Sequence, residues 1–202
     1  IAHIDWTDKT ELSGSDGYPG FCHQCTIYAD FDVPMFRVYN EDAEEYYYYI
    51  QPAIENATAG DTISLGSMEY NENIVIDKSL TLTGSSSDST IITGEVSGLG
   101  SPPLFNSSLT AIGITTDDVE VSNLTVSNFN LGIRMSQADR TILSNIIIID
   151  MDREGIYAIQ SEDVEFDNLY IESSSYHGIY IGDASPYSTI TDSIIIDGNS
   201  HG

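Results

Sequence analysis

Cationic side chains are scarce in this chain: six Lys and Arg stand against 32 Asp and Glu among 202 residues, a formal charge of −26 at pH 7. That balance excludes nucleic-acid binding, because a protein must bring cations to displace the counterions condensed on phosphates. Docking on anionic lipid is disfavoured for the same reason. Long hydrophobic runs are missing too. No stretch approaches the ~20 apolar residues that cross a bilayer, so no membrane insertion is expected. Cysteine is limited to Cys22 and Cys25, and a starting Met is absent. Because Ile1 opens the chain, a leader or an upstream portion of a longer protein is expected to have been removed.

Isoleucine is what the chain has in plenty: 27 residues, including the runs Ile146–Ile149 and Ile194–Ile196. Branching at Cβ favours strands over helices. The length suits one domain, or one domain with a small appendage. Acceptor sequons at Asn56-Ala57-Thr58, Asn106-Ser107-Ser108 and Asn123-Leu124-Thr125 make Asn56, Asn106 and Asn123 glycosylation candidates. With the acidity, the tyrosines and the missing start, they lead us to expect an exported, extracellular protein at the cell surface.

Composition divides the chain near residue 49. Residues 1–49 hold Trp6, both cysteines and turn-formers such as Ser13-Gly14-Ser15-Asp16-Gly17, with little periodicity, and end in Tyr46–Tyr49. They read as an irregular segment, an assembly or contact region, in which the tyrosines pack as part of a cap. Ile50, Ala53, Ile54 and Ala57 then recur at helical spacing, which predicts a short helix over 50–57 stopped by Gly60-Asp61. Beyond Thr62 the chain becomes strands of three to five residues separated by Gly, Ser, Asn and Asp.

Strands so short cannot stand alone, and a repeat supplies their partners. Val119–Val126, Thr141–Ile148, Val164–Ile171 and Thr189–Ile196 align, with corner residues Asn123, Asn145, Asn168 and Ser193 spaced 22, 23 and 25 apart. Gly132-Ile133, Gly155-Ile156 and Gly178-Ile179 repeat independently, spaced 23 and 23. Leucine-rich repeats share this length but not the residues, and propeller blades need about twice as many. A solenoid remains, with ~23 residues and three short strands per coil, each strand lying parallel on the coil below at ~4.8 Å. It predicts a buried core column of Ile133, Ile156 and Ile179 and a structural ladder of Asn123, Asn145 and Asn168 at one corner.

The opening signature Ile50-Gln51-Pro52-Ala53-Ile54-Glu55-Asn56-Ala57, followed by Gly60-Asp61-Thr62-Ile63 and Tyr70–Gly84, carries a resemblance. From Ile50 to Gly202 the chain resembles the right-handed parallel β-helix superfamily, the pectate-lyase-like repeat fold. Its opening looks like the capping helix and first coils of exported archaeal and bacterial β-helix proteins. These include surface-layer-type proteins of methanogens and the periplasmic copper-binding factor of nitrous oxide reductase maturation. The resemblance implies an all-β, right-handed parallel β-helix over 50–202 with an N-terminal capping helix. It leaves function wide, since the same scaffold carries lyases, hydrolases, adhesins and envelope subunits.

Pectate-lyase-like members, the resemblance implies, use clustered Asp for Ca²⁺ and cations to grip a polyuronate. Here the solenoid offers Lys78, Arg134, Arg140 and Arg153, of which Arg134 and Arg153 approach one face, and the overall charge repels a polyanion. A hydrolase would need paired carboxylates; Asp150, Asp152, Glu154, Asp163, Glu165 and Asp167 could supply them, but most must be solvated turn residues. Cys22-His23-Gln24-Cys25 has redox or metal spacing without a βαβ frame, without the following His that haem attachment needs (Thr26), and with only scattered His3, His177 and His201 elsewhere. A disulfide of Cys22 and Cys25, with each other or between subunits, is the reading adopted. Ile1-Ala2-His3 could chelate Cu(II) at a free terminus, a pattern that chance supplies often. No catalytic residue, metal or cofactor is assigned.

The chain stops where another strand would begin, so Ser193, Ile194, Ile195, Ile196 and Gly202 are expected to form an open assembly edge. The sequence therefore favours a non-catalytic structural subunit of an extracellular sheath, surface layer or filament. Its expected partners are copies of itself, head-to-tail or lateral, with envelope polysaccharide as a further one. The alternative is a carbohydrate-active enzyme, lyase or glycoside hydrolase, or a carbohydrate-binding module on the same fold.

Overall fold

The computed structural model describes residues 37–94, 110–174 and 176–197. The chain divides into two units, Ile1–Phe36 and Arg37–Gly202, and the fold set out here is that of the second. It is a parallel β-solenoid of about five turns with one short helix. Two strands, β1 (Val38–Asn40) and β2 (Glu45–Tyr47), precede helix α1 (Ile50–Asn56). The first coil contains β3 (Thr62–Leu65), β4 (Glu69–Asn71) and β5 (Ile74–Ile76); the second contains β6 (Thr81–Gly84), β7 (Ile91–Thr93) and β8 (Thr110–Ile114). In the next three coils the first two strands fuse into long strands, β9 (Glu120–Phe129), β11 (Ile142–Met151) and β13 (Glu165–Ser174). Each is followed by a third-face strand: β10 (Leu131–Ser136), β12 (Ile156–Ile159) and β14 (Ile179–Gly182). Strands β15 (Thr189–Thr191) and β16 (Ile194–Asp197) begin one more coil.

Alternation along each strand sends every second side chain inward, and register places like on like. Leu82, Val121, Leu143 and Phe166 stack on the first face, and Ile92, Val126, Ile148 and Ile171 on the second. Ile74, Ile112, Ile133, Ile156 and Ile179 stack on the third. All but Ile179, which packs partly buried against the rest, are sealed from solvent. Burying a side chain of this size contributes roughly 1.5–3 kcal/mol each, so the columns supply the stability that three-residue strands lack.

Glycines keep the coils close. A Cβ on Gly132 would lie 2.4 Å from the carbonyl oxygen of Gly155, and one on Gly155 would lie 2.6 Å from that of Gly178. This crowding explains why Gly precedes Ile133 and Ile156.

Helix α1 covers the first coil with Ile50, Ala53 and Ile54. Its N-terminal amides are satisfied by the Glu72 carboxylate, which accepts from Ile50 N (3.0 Å) and Gln51 N (3.2 Å). At the other end Lys78 Nζ donates to the carbonyls of Glu55 (3.0 Å) and Ala57 (3.1 Å). Pro52 sits in the first turn, where no amide donor is required.

The boundary drawn at residue 49 moves to residue 37. β1 pairs antiparallel with β3 and with β2, so residues 38–47 belong to the sheet, not to an irregular segment. Three-residue strands leave no readable period. Asn40, fully buried, holds this hairpin: its Oδ1 accepts from Asp42 N (3.1 Å) and Ala43 N (3.0 Å), and its Nδ2 donates to Asp61 Oδ2 (2.8 Å).

Two outcomes follow from this packing. Gly155→Val should lower stability by about 1–3 kcal/mol, an overpacking cost, read as a fall in thermal midpoint with the circular-dichroism spectrum unchanged at low temperature. Asp61 is held below the usual carboxylate range by hydrogen bonds from Asn40 and the Thr58 amide. A depressed folded pKa contributes stability above the unfolded value of about 3.9, and that stability is lost as pH falls through the folded pKa. Asp61→Asn should therefore lower the thermal midpoint by up to a few degrees at pH 7, and the gap to the parent should close toward pH 2.

Candidate functional site

The corner between the first two faces is turned by Asn123, Asn145 and Asn168, all in the left-handed region at φ 58, 53 and 50. Asn tolerates that conformation better than most residues. Asn168 Nδ2 donates to Asn145 Oδ1 at 2.7 Å. Asn123 Nδ2 instead turns to Thr83 Oγ1 (3.1 Å). Among the described residues the amide-to-amide rung thus joins Asn145 and Asn168 alone. Gly84 lies beneath Asn123, and a Cβ there would meet the Asn123 carbonyl oxygen at 2.1 Å. Ser193 is displaced from this column. Asp167 pairs with Thr191 and Tyr170 with Ile194, so Asp192, at φ 46, opposes Asn168. The last turn is one residue shorter than the sequence alignment assumes.

Of the sequon asparagines, Asn56 is exposed with its amide donating to Pro52 O (2.8 Å), while Asn123 is half-buried and engaged at the corner. Ile194, Ile195 and Ile196 lie on β16, exposed at 57, 39 and 46 %. Asn106, Cys22, Cys25 and Gly202 lie outside the described residues.

Most carboxylates proposed from sequence serve turns or outer faces. Asp150 and Asp163 occupy left-handed turn positions at φ 58 and 53, Glu165 is exposed, and Asp167 accepts from Thr191 Oγ1 (2.6 Å). Asp117 and Asp139 accept backbone amides of the next coil, from Asp139 N (3.0 Å) and Glu162 N (2.8 Å). Arg140 is clasped by Asp118 (2.7 Å) and Asp117 (3.2 Å), which holds the Asp118 carboxyl below its ordinary range. Among the described residues no group of three or more His, Cys, Asp or Glu is placed to hold a metal. No helix among them is long and apolar enough to cross a membrane.

Glu154 is different: it is buried, 6 % exposed, and pairs with Arg153 at 3.3 Å. It sits at the turn into the third face, one coil below His177, each two residues before the stacked Ile156 and Ile179. The His177 Nδ1 is buried without a hydrogen-bond partner among the described residues, and its ring lies 5.6 Å from that of Tyr180. The Arg153 guanidinium also lies 5.3 Å from the centre of the Tyr176 ring.

Outward on the same face, register sets Arg134, Tyr157 and Tyr180 in one column. The two tyrosine rings stack at 4.9 Å and 8°. Gly182 makes room, since a Cβ there would lie 2.6 Å from the Tyr180 ring. Desolvation first, then Tyr180, Asp183 and Glu154, raise the Tyr157 hydroxyl, against a smaller lowering by Arg134. The aromatic pair, two guanidiniums, a buried carboxylate and an imidazole therefore gather on one stretch of the third face. Sequence reasoning found the two arginines and missed the tyrosines. The signal was in the repeat: Gly-Ile-Arg134, Gly-Ile-Tyr157 and Gly-Ile-Tyr180 share one register.

Comparison with known proteins agrees with this architecture. The fold is similar to a pectin methylesterase solved with a hexasaccharide, at 15% identity and a TM-score of 0.55, covering 70% of this chain and 51% of that one. An alginate lyase from Paenibacillus sp. str. FPU-7 matches at 16% identity and a TM-score of 0.47, over 71% of this chain and 62% of that one. The chain thus spans about half the length of the first and less than two thirds of the second. At such identities the likeness is one of fold. No curated protein sequence matches. Nothing in these comparisons supports the narrower likeness to archaeal surface-layer and sheath proteins. The family model for the right-handed β-helix region covers residues 82–202, more than half of the chain, and the chain belongs to that family.

Proposed function

We propose that the protein recognises a polysaccharide through the outer face of its third sheet. Tyr157 and Tyr180 form the platform, with Arg134, Arg153, Glu154 and His177 at its margin. The observation that carries this reading is the in-register tyrosine stack, 4.9 Å between rings, on an outward column. Tyrosine combines an apolar ring with a polar hydroxyl, and so suits a ligand with both apolar faces and hydroxyl groups. A solenoid repeats its surface once per coil, which matches a polymer that repeats its own unit. The similar fold of a pectin methylesterase solved with a hexasaccharide supports a saccharide as the ligand class. Any catalytic step would fall to Glu154 and His177, the carboxylate and imidazole beside the platform. The same reading puts the protein outside the cell, where such polymers are met.

A structural subunit of an extracellular assembly is the second reading, and a separate observation favours it. Ile190 and Ile195, which continue the core columns, are 45 and 39 % exposed, and Ile194 and Ile196 beside them 57 and 46 %. An apolar strand edge of this kind invites pairing. The relatives favour the first reading over this one. Sedimentation of the purified chain across a concentration series, beside the binding measurements, separates the two.

Titration calorimetry against a polysaccharide panel, with turnover followed in the same samples, tests the first reading. Tyr157→Ala and Tyr180→Ala should each weaken binding by about tenfold, as expected of a central aromatic contact, with the fold intact by circular dichroism. Equal affinity of parent and both variants, or no binding to any polymer, would sink the reading.

A further inference from the structure

We infer that the saccharide this face takes is uncharged, not a polyuronate; the inference rests on the recognition proposed above. The cations that would have to grip a uronate are largely spent inside the protein. Arg140 is clasped by Asp117 and Asp118, Lys78 is bound to the helix-end carbonyls of Glu55 and Ala57, and Arg153 is paired with Glu154 at 3.3 Å. The column itself carries one guanidinium, Arg134, in register with Tyr157.

An exposed carboxylate, Asp183, flanks that platform, while the Glu154 carboxylate beside it is buried and paired with Arg153. Asp183 follows Gly182 at the end of β14, exposed and at φ 43, and Glu154 stands at the turn into β12. At the Tyr157 hydroxyl Asp183 acts more strongly than Arg134 does in the opposite sense. The exposed Asp183 at the end of β14 and the charge of −26 on the chain as a whole both act against an anion laid on the platform. A uronate carboxylate laid against Tyr157 and Tyr180 would face like charge at close range, which opposes binding. Sugar hydroxyls meet the same groups favourably, because an ionised carboxylate is an acceptor only and a hydroxyl donates to it. The margin suits a neutral, hydroxyl-rich chain.

The test uses the whole chain and matched polymer pairs, each polyuronate beside its carboxyl-reduced form, so that the members of a pair differ in charge alone. Affinities are measured at about 0.01 M and about 1 M salt, where the screening length is about 30 Å and about 3 Å. In the pair that binds, the reduced polymer should bind at least about tenfold more tightly at low salt, and with the same affinity at both salts. The polyuronate should gain affinity as salt rises. Asp183→Asn, which keeps a residue tolerant of the left-handed backbone, should narrow the gap at low salt by raising the affinity of the polyuronate and not that of the neutral polymer. A polyuronate that binds more tightly than its reduced partner at low salt, or an Asp183→Asn variant with an unchanged ratio, overturns the inference and leaves recognition standing. Failure of every pair to bind overturns recognition itself, and this inference with it.

Discussion

Everything in this molecule depends on stacking like on like, one coil apart and in register. A strand of three or four residues is below the length that holds itself together. Here each strand borrows its hydrogen-bond partners from the coil beneath and gives its own to the coil above. The inward columns of isoleucine, leucine, valine and phenylalanine then convert that pairing into buried area. Because every coil supplies both the floor and the ceiling of its neighbours, local liberties are few. The Gly132–Gly155–Gly178 column shows the limit: the backbone carbonyl of the next coil occupies the space a Cβ would need.

Winding imposes a second demand, on the corners. Fifteen described non-glycine residues have positive φ, among them Asp118, Asp150, Asp163, Asp183 and Asp192 as well as the corner asparagines. Asp and Asn enter the left-handed region with least strain, since a short polar side chain can bond locally there. Carboxylates at Asp117 and Asp139 do further work by accepting amides of the following coil. Part of the acidity of the chain is thus a by-product of turning a solenoid, not a sign of acid chemistry. Yet the charge has an effect beyond the turns, because it sets the potential on the faces where a ligand would lie.

The inner repeat was legible because two landmarks, the corner asparagines and the Gly-Ile pairs, kept one period, and burial restricts what can stand at those positions. The helix was legible too, read at 50–57 and found at Ile50–Asn56. What escaped did so for physical reasons. β1 and β2 are too short to show a period and pair antiparallel, against the rule of the repeat. Ser193 was misplaced because the last repeat is one residue shorter than the 25 aligned, and the run of isoleucines that follows hides the shift. The Asn123 rung was overestimated because nothing in the spacing reveals that the Asn123 amide donates to Thr83. The tyrosine platform was missed because outward positions carry no burial constraint, so their residues vary from coil to coil and look like filler.

That difference between inward and outward positions also explains where a site can arise on this scaffold. The isoleucines Ile133 and Ile156 on the inner side of the third sheet are fully buried and hold the backbone in place. Their outward neighbours, Arg134 and Tyr157, are then presented from a strand that does not need them for its own stability. A group held on such an element keeps its geometry better than one on a loop, and substitution outside leaves the column inside untouched. Tyr157 and Tyr180 meet at 8° because the strands beneath them are locked in register. The stack of like on like that makes the core therefore also aligns the surface, and would offer the periodic ligand proposed above evenly spaced partners.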